Sequence, residues 1–281
     1  MLATLLALLA SFSWGTSDFI AGIEARRMTS WAVALVSMTA AAGGGLLALA
    51  IASPPAPAAG VALVLVAGGV CSGVSAITYY YALRLTKMSI TSPILAGAAV
   101  IPVVCGLARG EQPSALQVIG IAVTIAGIVV VSRPGPAVAD DRLPTTLKGV
   151  LLAVAGTVTA GLMVVTLDYG AASDPLWAAT VIRCSAALLC VAWIAGARPA
   201  LRLRRRSVPV LVAVGLMIVG ANLLFAQATT LADLSVVAVL GWLSPAVTIV
   251  LARLFLHERL RPVQWLAALA VLAGVVCLAL G

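Results

Sequence analysis

Charged side chains are scarce in this chain: Asp, Glu, Lys and Arg make up 9% of its 281 residues, where soluble domains carry about 25%. Hydrophobic residues reach 63%, against roughly 45–50% in a soluble domain. So few charges cannot cover so much apolar surface, so the solvent for most of the chain is lipid. Histidine occurs once, as His257, and no HExxH, GxxxxGK[ST] or GxSxG pattern is present, which excludes zincin, P-loop ATPase and nucleophile-elbow chemistry. A Ser-His site at membrane depth would need an intramembrane histidine, and a Ser-Lys site a deep lysine; Lys87 and Lys148 both flank apolar runs. None of the five cysteines forms a CxxC pair, and all lie in apolar runs, so they read as small packing residues and not as a disulfide or metal set. No cofactor or metal is called for. The net charge of +8 sits in loops with no basic-aromatic patch, so nucleic acid is excluded as a partner and the charges serve orientation and headgroup contact. The opening MLATLLALLASFSWG lacks a basic region before its apolar run and reads as a retained first helix, not a signal peptide.

What is present is a series of apolar runs of about the 20 residues that span a bilayer as a helix. Ten are legible, at 2–22, 30–52, 60–83, 89–108, 115–132, 147–168, 175–196, 208–229, 235–256 and 263–280. Ser53–Pro57 ends the second, and Ser173-Asp174-Pro175 offers an N-cap with proline in the first turn of the seventh. The chain also repeats. Leu85 and Ser89 fall on Leu231 and Ser235 at an offset of 146, Gly15 on Gly161, and Tyr79 on Phe225. After a one-residue slip, Gln117 falls on Gln264 and Gly127 on Gly274. The expected fold is all-α: ten transmembrane helices as two five-helix repeats, 1–132 and 147–281, joined by a linker at 133–146. Five is odd, so the second repeat enters from the opposite side and the copies are inverted. Of seventeen Lys and Arg, fifteen lie in or beside loops that follow odd-numbered spans; Arg109 alone follows an even one, and Arg183 is at depth. The positive-inside rule makes the basic face cytoplasmic and both termini extracytoplasmic.

Ionisable residues at depth are costly and mark function. Asp18 lies about a turn from the end of the first span, and Arg183 two turns into the seventh. Each also has a plainer reading: interfacial pairing with Arg26 or Arg27 for Asp18, a carbonyl hydrogen bond for Arg183. Ser11, Trp14 and Asp18 share one helical face at i, i+3, i+7 spacing. Asn222 and Phe225 in the eighth span, Tyr79 in the third and Trp242 beside Ser244-Pro245 in the ninth complete the candidate solute contacts. Pro93 and Pro102 interrupt the fourth span, and proline at depth permits a kink that can line a cavity. Arg183, as the one deep cation, suggests a carboxylate-bearing solute. Gly43-Gly44-Gly45, Gly127 and Gly274 read as close-packing positions, and Glu111 and Glu258 as helix-start or loop ion-pair residues.

These features have a family likeness. FSWGTSDFIAG in the first span, YYYALRLTKMSITSP, the Gly110-Glu111 step, AGIVVVSRPG and the later HERLRPVQWLAALAVLAG together resemble the EamA-like branch of the drug/metabolite transporter superfamily over nearly the whole chain. The second copy departs with His257-Glu258 where the family favours Gly-Glu, and the charges argue for the reverse of the family's usual cytoplasmic termini. The resemblance implies two inverted halves and passage of small organic solutes through a central cavity. The expected function is secondary transport, in the direction of export, of a small metabolite, amino acid-like solute or drug by alternating access. The expected setting is the plasma or inner membrane, as a monomer or homodimer, with protons as the candidate coupling ion. The rivals are an intramembrane enzyme or a scramblase acting on lipid-linked substrates.

Overall fold

The computed structural model describes residues 1–25, 27–85, 94–95, 97–131 and 146–256, and from 257 onward only 263, 266, 269, 270, 273, 274 and 277. Ser89, Pro93, His257 and Glu258, the connection over 133–145 and most of the tenth predicted span lie outside the described residues. Among the described residues the regular elements are helices: α1 (Leu2–Ala25), α2 (Ser30–Ala52), α3 (Ala59–Leu85), α4 (Val100–Ala108, preceded by a 3-10 turn at Gly97–Ala99), α5 (Ala115–Val131), α6 (Leu147–Ala171), α7 (Pro175–Ala197), α8 (Val208–Thr229), α9 (Leu234–Gly241) and α10 (Ser244–Leu256). Six of these, α1–α3 and α6–α8, are long and apolar enough to cross a bilayer. Outward-facing leucines and valines such as Leu47, Leu63, Leu151 and Leu188 are more than half exposed, as a lipid-facing surface requires.

Helix ends follow the local sequence. Asp174 Oδ1 accepts from Trp177 N at 2.7 Å, with Pro175 in the first turn of α7, where its missing N–H costs nothing. Thr146 Oγ1 caps α6 by accepting from Gly149 N at 3.1 Å. The ninth predicted span is corrected from one helix to two. Pro245 has no N–H to give to Gly241, so the ladder breaks at Trp242 and Leu243, and α10 restarts with Ala246 N and Val247 N donating to Leu243 O. In α4, Pro102 stands in the first turn, where it is tolerated.

The repeat is visible in the packing. Gly15 of α1 faces Ser244 and Val247 of α10, and Gly161 of α6 faces Ala98 and Ile101; every one of these positions is displaced by 146. Gly69 of α3 lies on Ile182 and Ser185 of α7, while Gly215 of α8 lies on Ser37 and Ala40 of α2, the same contact with the copies exchanged. At Gly15 an added Cβ would stand 2.5 Å from Ser244 O and at Gly161 2.9 Å from Ala98 O, so backbone approach fixes glycine at both positions. Gly44 and Gly45 also close-pack, against Leu216 and Thr180, but Gly43 faces open space, which corrects the expectation that all three serve packing. The two copies interleave: α3 packs on α6 and α7, and α1 and α2 pack on α8. The repeats along the chain are therefore not two lobes in space.

Candidate functional site

The largest buried cluster runs through α1, α3, α4 and α6–α9; where α1, α8 and α9 meet it contains Phe225, Ala221, Leu240 and Leu243, with Trp14 and Trp242 packed against it. Ser17 Oγ donates to Trp14 O at 2.7 Å and Ser13 Oγ to Met217 O at 3.2 Å, tying this stretch of α1 to itself and to α8. The Trp14 indole N–H then donates to Asn222 Oδ1 at 3.1 Å, and the Trp14 and Phe225 rings lie 5.4 Å apart at 38°, a tilted pair of favourable geometry. Gly241, the last residue of α9, lets that helix press onto both rings: a Cβ there would stand 2.7 Å from Phe225 Cε2 and 3.4 Å from Trp14 Cζ3.

Polar capacity is left over inside this apolar junction. Asn222 is fully buried and its Nδ2 has no hydrogen-bond partner; nor have Trp242 Nε1 and Ser11 Oγ. An unmade hydrogen bond of this kind costs about 1–3 kcal/mol, which an acceptor on a bound solute would offset. One turn along α1 from Trp14, Asp18 is exposed and is close enough to Tyr79, half-buried on α3, to interact with it electrostatically. Among the described residues no three His, Cys, Asp or Glu side chains converge.

Arg183 stands apart from this junction. It is 3% exposed, and its Nη2 donates to Ser72 Oγ of α3 at 2.9 Å and its Nη1 to Met38 Sδ of α2 at 3.8 Å. Met38 and Arg183 are repeat equivalents, offset by 145, so α2 and α7 meet at the pseudo-twofold axis through this pair. Of the seven predicted contacts, the structure joins Trp14, Asn222 and Phe225 directly, sets Trp242 beside them and Asp18 with Tyr79 one turn away, and seats Arg183 in a three-helix joint.

Two features escape sequence reading. Glu111 Oε1 accepts from Leu234 N at 2.9 Å and Oε2 from Ser235 N at 3.0 Å, so a residue of the first repeat caps α9 of the second. Arg109 Nη1 pairs with Asp168 Oδ2 at 2.6 Å, beside a cavity of about 760 Å³ lined by Val61, Tyr169, Ser173 and Thr229. The one signal for the ion pair was Asp168 near the end of its apolar run, on the face where Arg109 is the sole cation. The cap has no local signal, since its donors are backbone groups 123 and 124 residues away.

Comparison with known proteins agrees with this architecture. The sequence model of the EamA-like transporter family matches residues 1–133 and 147–280. No curated protein matches the chain. Among solved structures, one titled "Crystal structure of protein" is similar, with a TM-score of 0.78, 18% identity, and coverage of 99% of this chain and 98% of that one; at that identity the likeness speaks to the fold.

Proposed function

Because the chain belongs to the EamA-like transporter family and is a multi-pass membrane transporter, we propose that it is a secondary transporter that exports a small organic solute, a metabolite, amino acid-like compound or drug, by alternating access. The observation that carries this reading is the α1–α8–α9 junction: an aromatic pair, an amide locked to an indole, and two N–H donors left unpaired in an apolar setting. Such a junction suits a solute with an apolar body and a hydrogen-bond acceptor. The contacts proposed are Trp14, Tyr79, Asn222, Phe225 and Trp242. Asp18, an accessible carboxylate beside Tyr79, is proposed as the group that exchanges protons or meets a cation. Arg183 is proposed as the residue that joins α2, α3 and α7, since solute could reach it only if those helices part. The functional halves are taken as 1–132 and 147–281, the setting as the plasma or inner membrane, and the unit as a monomer or homodimer.

The test is a metabolomic comparison of cells with and without the protein, followed by flux of the strongest hit in proteoliposomes. Asp18→Asn is expected to abolish proton-driven accumulation while leaving insertion and expression intact. Unchanged pH-gradient-driven flux in that variant removes Asp18 from the coupling role, and the absence of any solute flux from the wild type removes the transport reading.

A further inference from the structure

The Glu111 cap is tied to the solute junction by a single rigid element. The loop that carries it is a tight turn: Arg109 N donates to Cys105 O, Gly110 N to Leu107 O and Glu111 N to Gly106 O, with Gly110 at φ +94°, a conformation glycine adopts without strain. The turn sends out two arms to the second repeat. Glu111 takes the first two N–H groups of α9, and Arg109 takes Asp168 near the end of α6. A carboxylate on a helix N-terminus is a charge-assisted contact favoured by the helix dipole. Every residue of α9, from Leu234 to Gly241, is buried. Eight residues of helix span about 12 Å, and α9 runs from the Glu111 carboxylate at one end to the Trp14 and Phe225 rings at the other. Behind it the helix ladder is interrupted at Trp242–Leu243, where Pro245 has no N–H to return to Gly241, so α9 and α10 are separate helices joined by a two-residue turn. On the opposite side of the junction Asp18 remains exposed.

We propose that the Arg109–Glu111 turn is the latch that closes the solute path at the face bearing Arg109, with α9 as the plug it holds and Glu111 as the residue that positions the plug. This deepens the transport reading and rests on it. In an inverted repeat, a contact between copies that is made at one face has its counterpart at the other, and alternating access exchanges the two. The sequence carries that counterpart set, Glu258 with Met88 and Ser89, outside the described residues. Releasing Glu111 should therefore open the Arg109 face and, because the two faces are coupled, close the face toward Asp18.

The experiment uses the full-length chain with its five cysteines replaced, carrying either Ser235→Cys or Asp18→Cys as a reporter. A membrane-impermeant maleimide is applied to each face of oriented vesicles, with Glu111 intact and with Glu111→Gln, which keeps the shape and removes the charge. With Glu111 intact, Ser235→Cys should label slowly and Asp18→Cys quickly. Glu111→Gln should raise the first rate at least tenfold from the Arg109 face and lower the second. If both rates rise, Glu111 is a structural cap whose loss loosens the bundle, and the latch is overturned; if neither moves, α9 is held by something else, and the latch is equally overturned. Labelling is read without solute and flux is read separately in the wild-type chain with Asp18 intact, so opposite shifts together with no wild-type flux retain the latch and remove the transport reading. Flux with both rates unmoved removes the latch alone.

Discussion

At the scale of single residues, the Trp14–Asn222 hydrogen bond and the Arg183 joint make opposite demands. Asn222→Ala strands the Trp14 N–H, and Trp14→Phe strands Asn222 Oδ1, inside a junction where Asn222 is fully buried. Each loss is expected to cost about 1–3 kcal/mol. The pair replaced together, Trp14→Phe with Asn222→Ala, should cost less than the sum of the singles by about 0.5–3 kcal/mol. Thermal melting of the four proteins in detergent measures this, and strict additivity would refute the coupling. Arg183 is different because its guanidinium bonds to Ser72 and Met38, neither of them a carboxylate, and its Nε has no hydrogen-bond partner. Removing Ser72 leaves a buried guanidinium short of an acceptor, at about 1.5–3 kcal/mol, whereas removing the charge as well lifts the desolvation penalty. Ser72→Ala is therefore expected to melt lower than the double variant Ser72→Ala with Arg183→Met, and the reverse order would mean that the guanidinium itself holds the three helices.

At the scale of elements, the short α9 decides most. Its length is set by Pro245, which ends one ladder and forces a second to begin, and its position is set at one end by Glu111 and at the other by Gly241. Gly241→Ala brings a Cβ within 2.7 Å of Phe225 Cε2, and Phe225 is fully buried, so the ring has little room to yield. Overpacking of this sort costs about 1–3 kcal/mol, while the gain in helix propensity is at most about 1 kcal/mol, and smaller at a helix end. The balance is a destabilised protein with reduced flux. A melting temperature equal to wild type would show that the ring shifts freely and that α9 is not pressed onto the pair. The same helix explains why the pattern of apolar residues misled at the ninth span: Leu234–Gly241 is buried on all sides, so no polar face marks where it stops.

At the scale of the whole molecule, the repeat and the charge distribution carry separate information. Gly15 with Gly161 and Gly69 with Gly215 make the same contacts with the copies exchanged, which fixes how the halves pack against each other. The charges bear on how the pair sits in a bilayer. Arg198, Arg202, Arg204, Arg205 and Arg206 lie together in the connection between α7 and α8 and are all exposed, and by the positive-inside rule that connection is expected on the cytoplasmic side. Arg204→Cys, alone in a cysteine-free chain, is expected to resist an impermeant maleimide applied to intact cells and to react once the cells are opened. Rapid labelling of intact cells would turn the molecule over.

The sequence by itself determined what depends on composition and on order along the chain. The apolar runs dictated helices in lipid, since backbone polar groups there must pair within their own segment; the offset of 146 dictated two copies, and their odd number of spans dictated inversion. The polar face of α1 and the pairing of Tyr79 with Phe225 were legible for the same reason, because 3.6-residue periodicity and repeat position are properties of one dimension. Tertiary structure alone decided which of these residues meet. Trp14 and Asn222 are 208 residues apart, and Arg183, the most conspicuous charge in the sequence, is drawn to Ser72 and Met38 by the crossing of α2, α3 and α7. Nothing in the order of residues reveals that Glu111 ends on the N–H groups of Leu234 and Ser235, because every residue but proline offers that same backbone donor. Only the position of a helix terminus in space makes one pair of N–H groups the partner of one carboxylate.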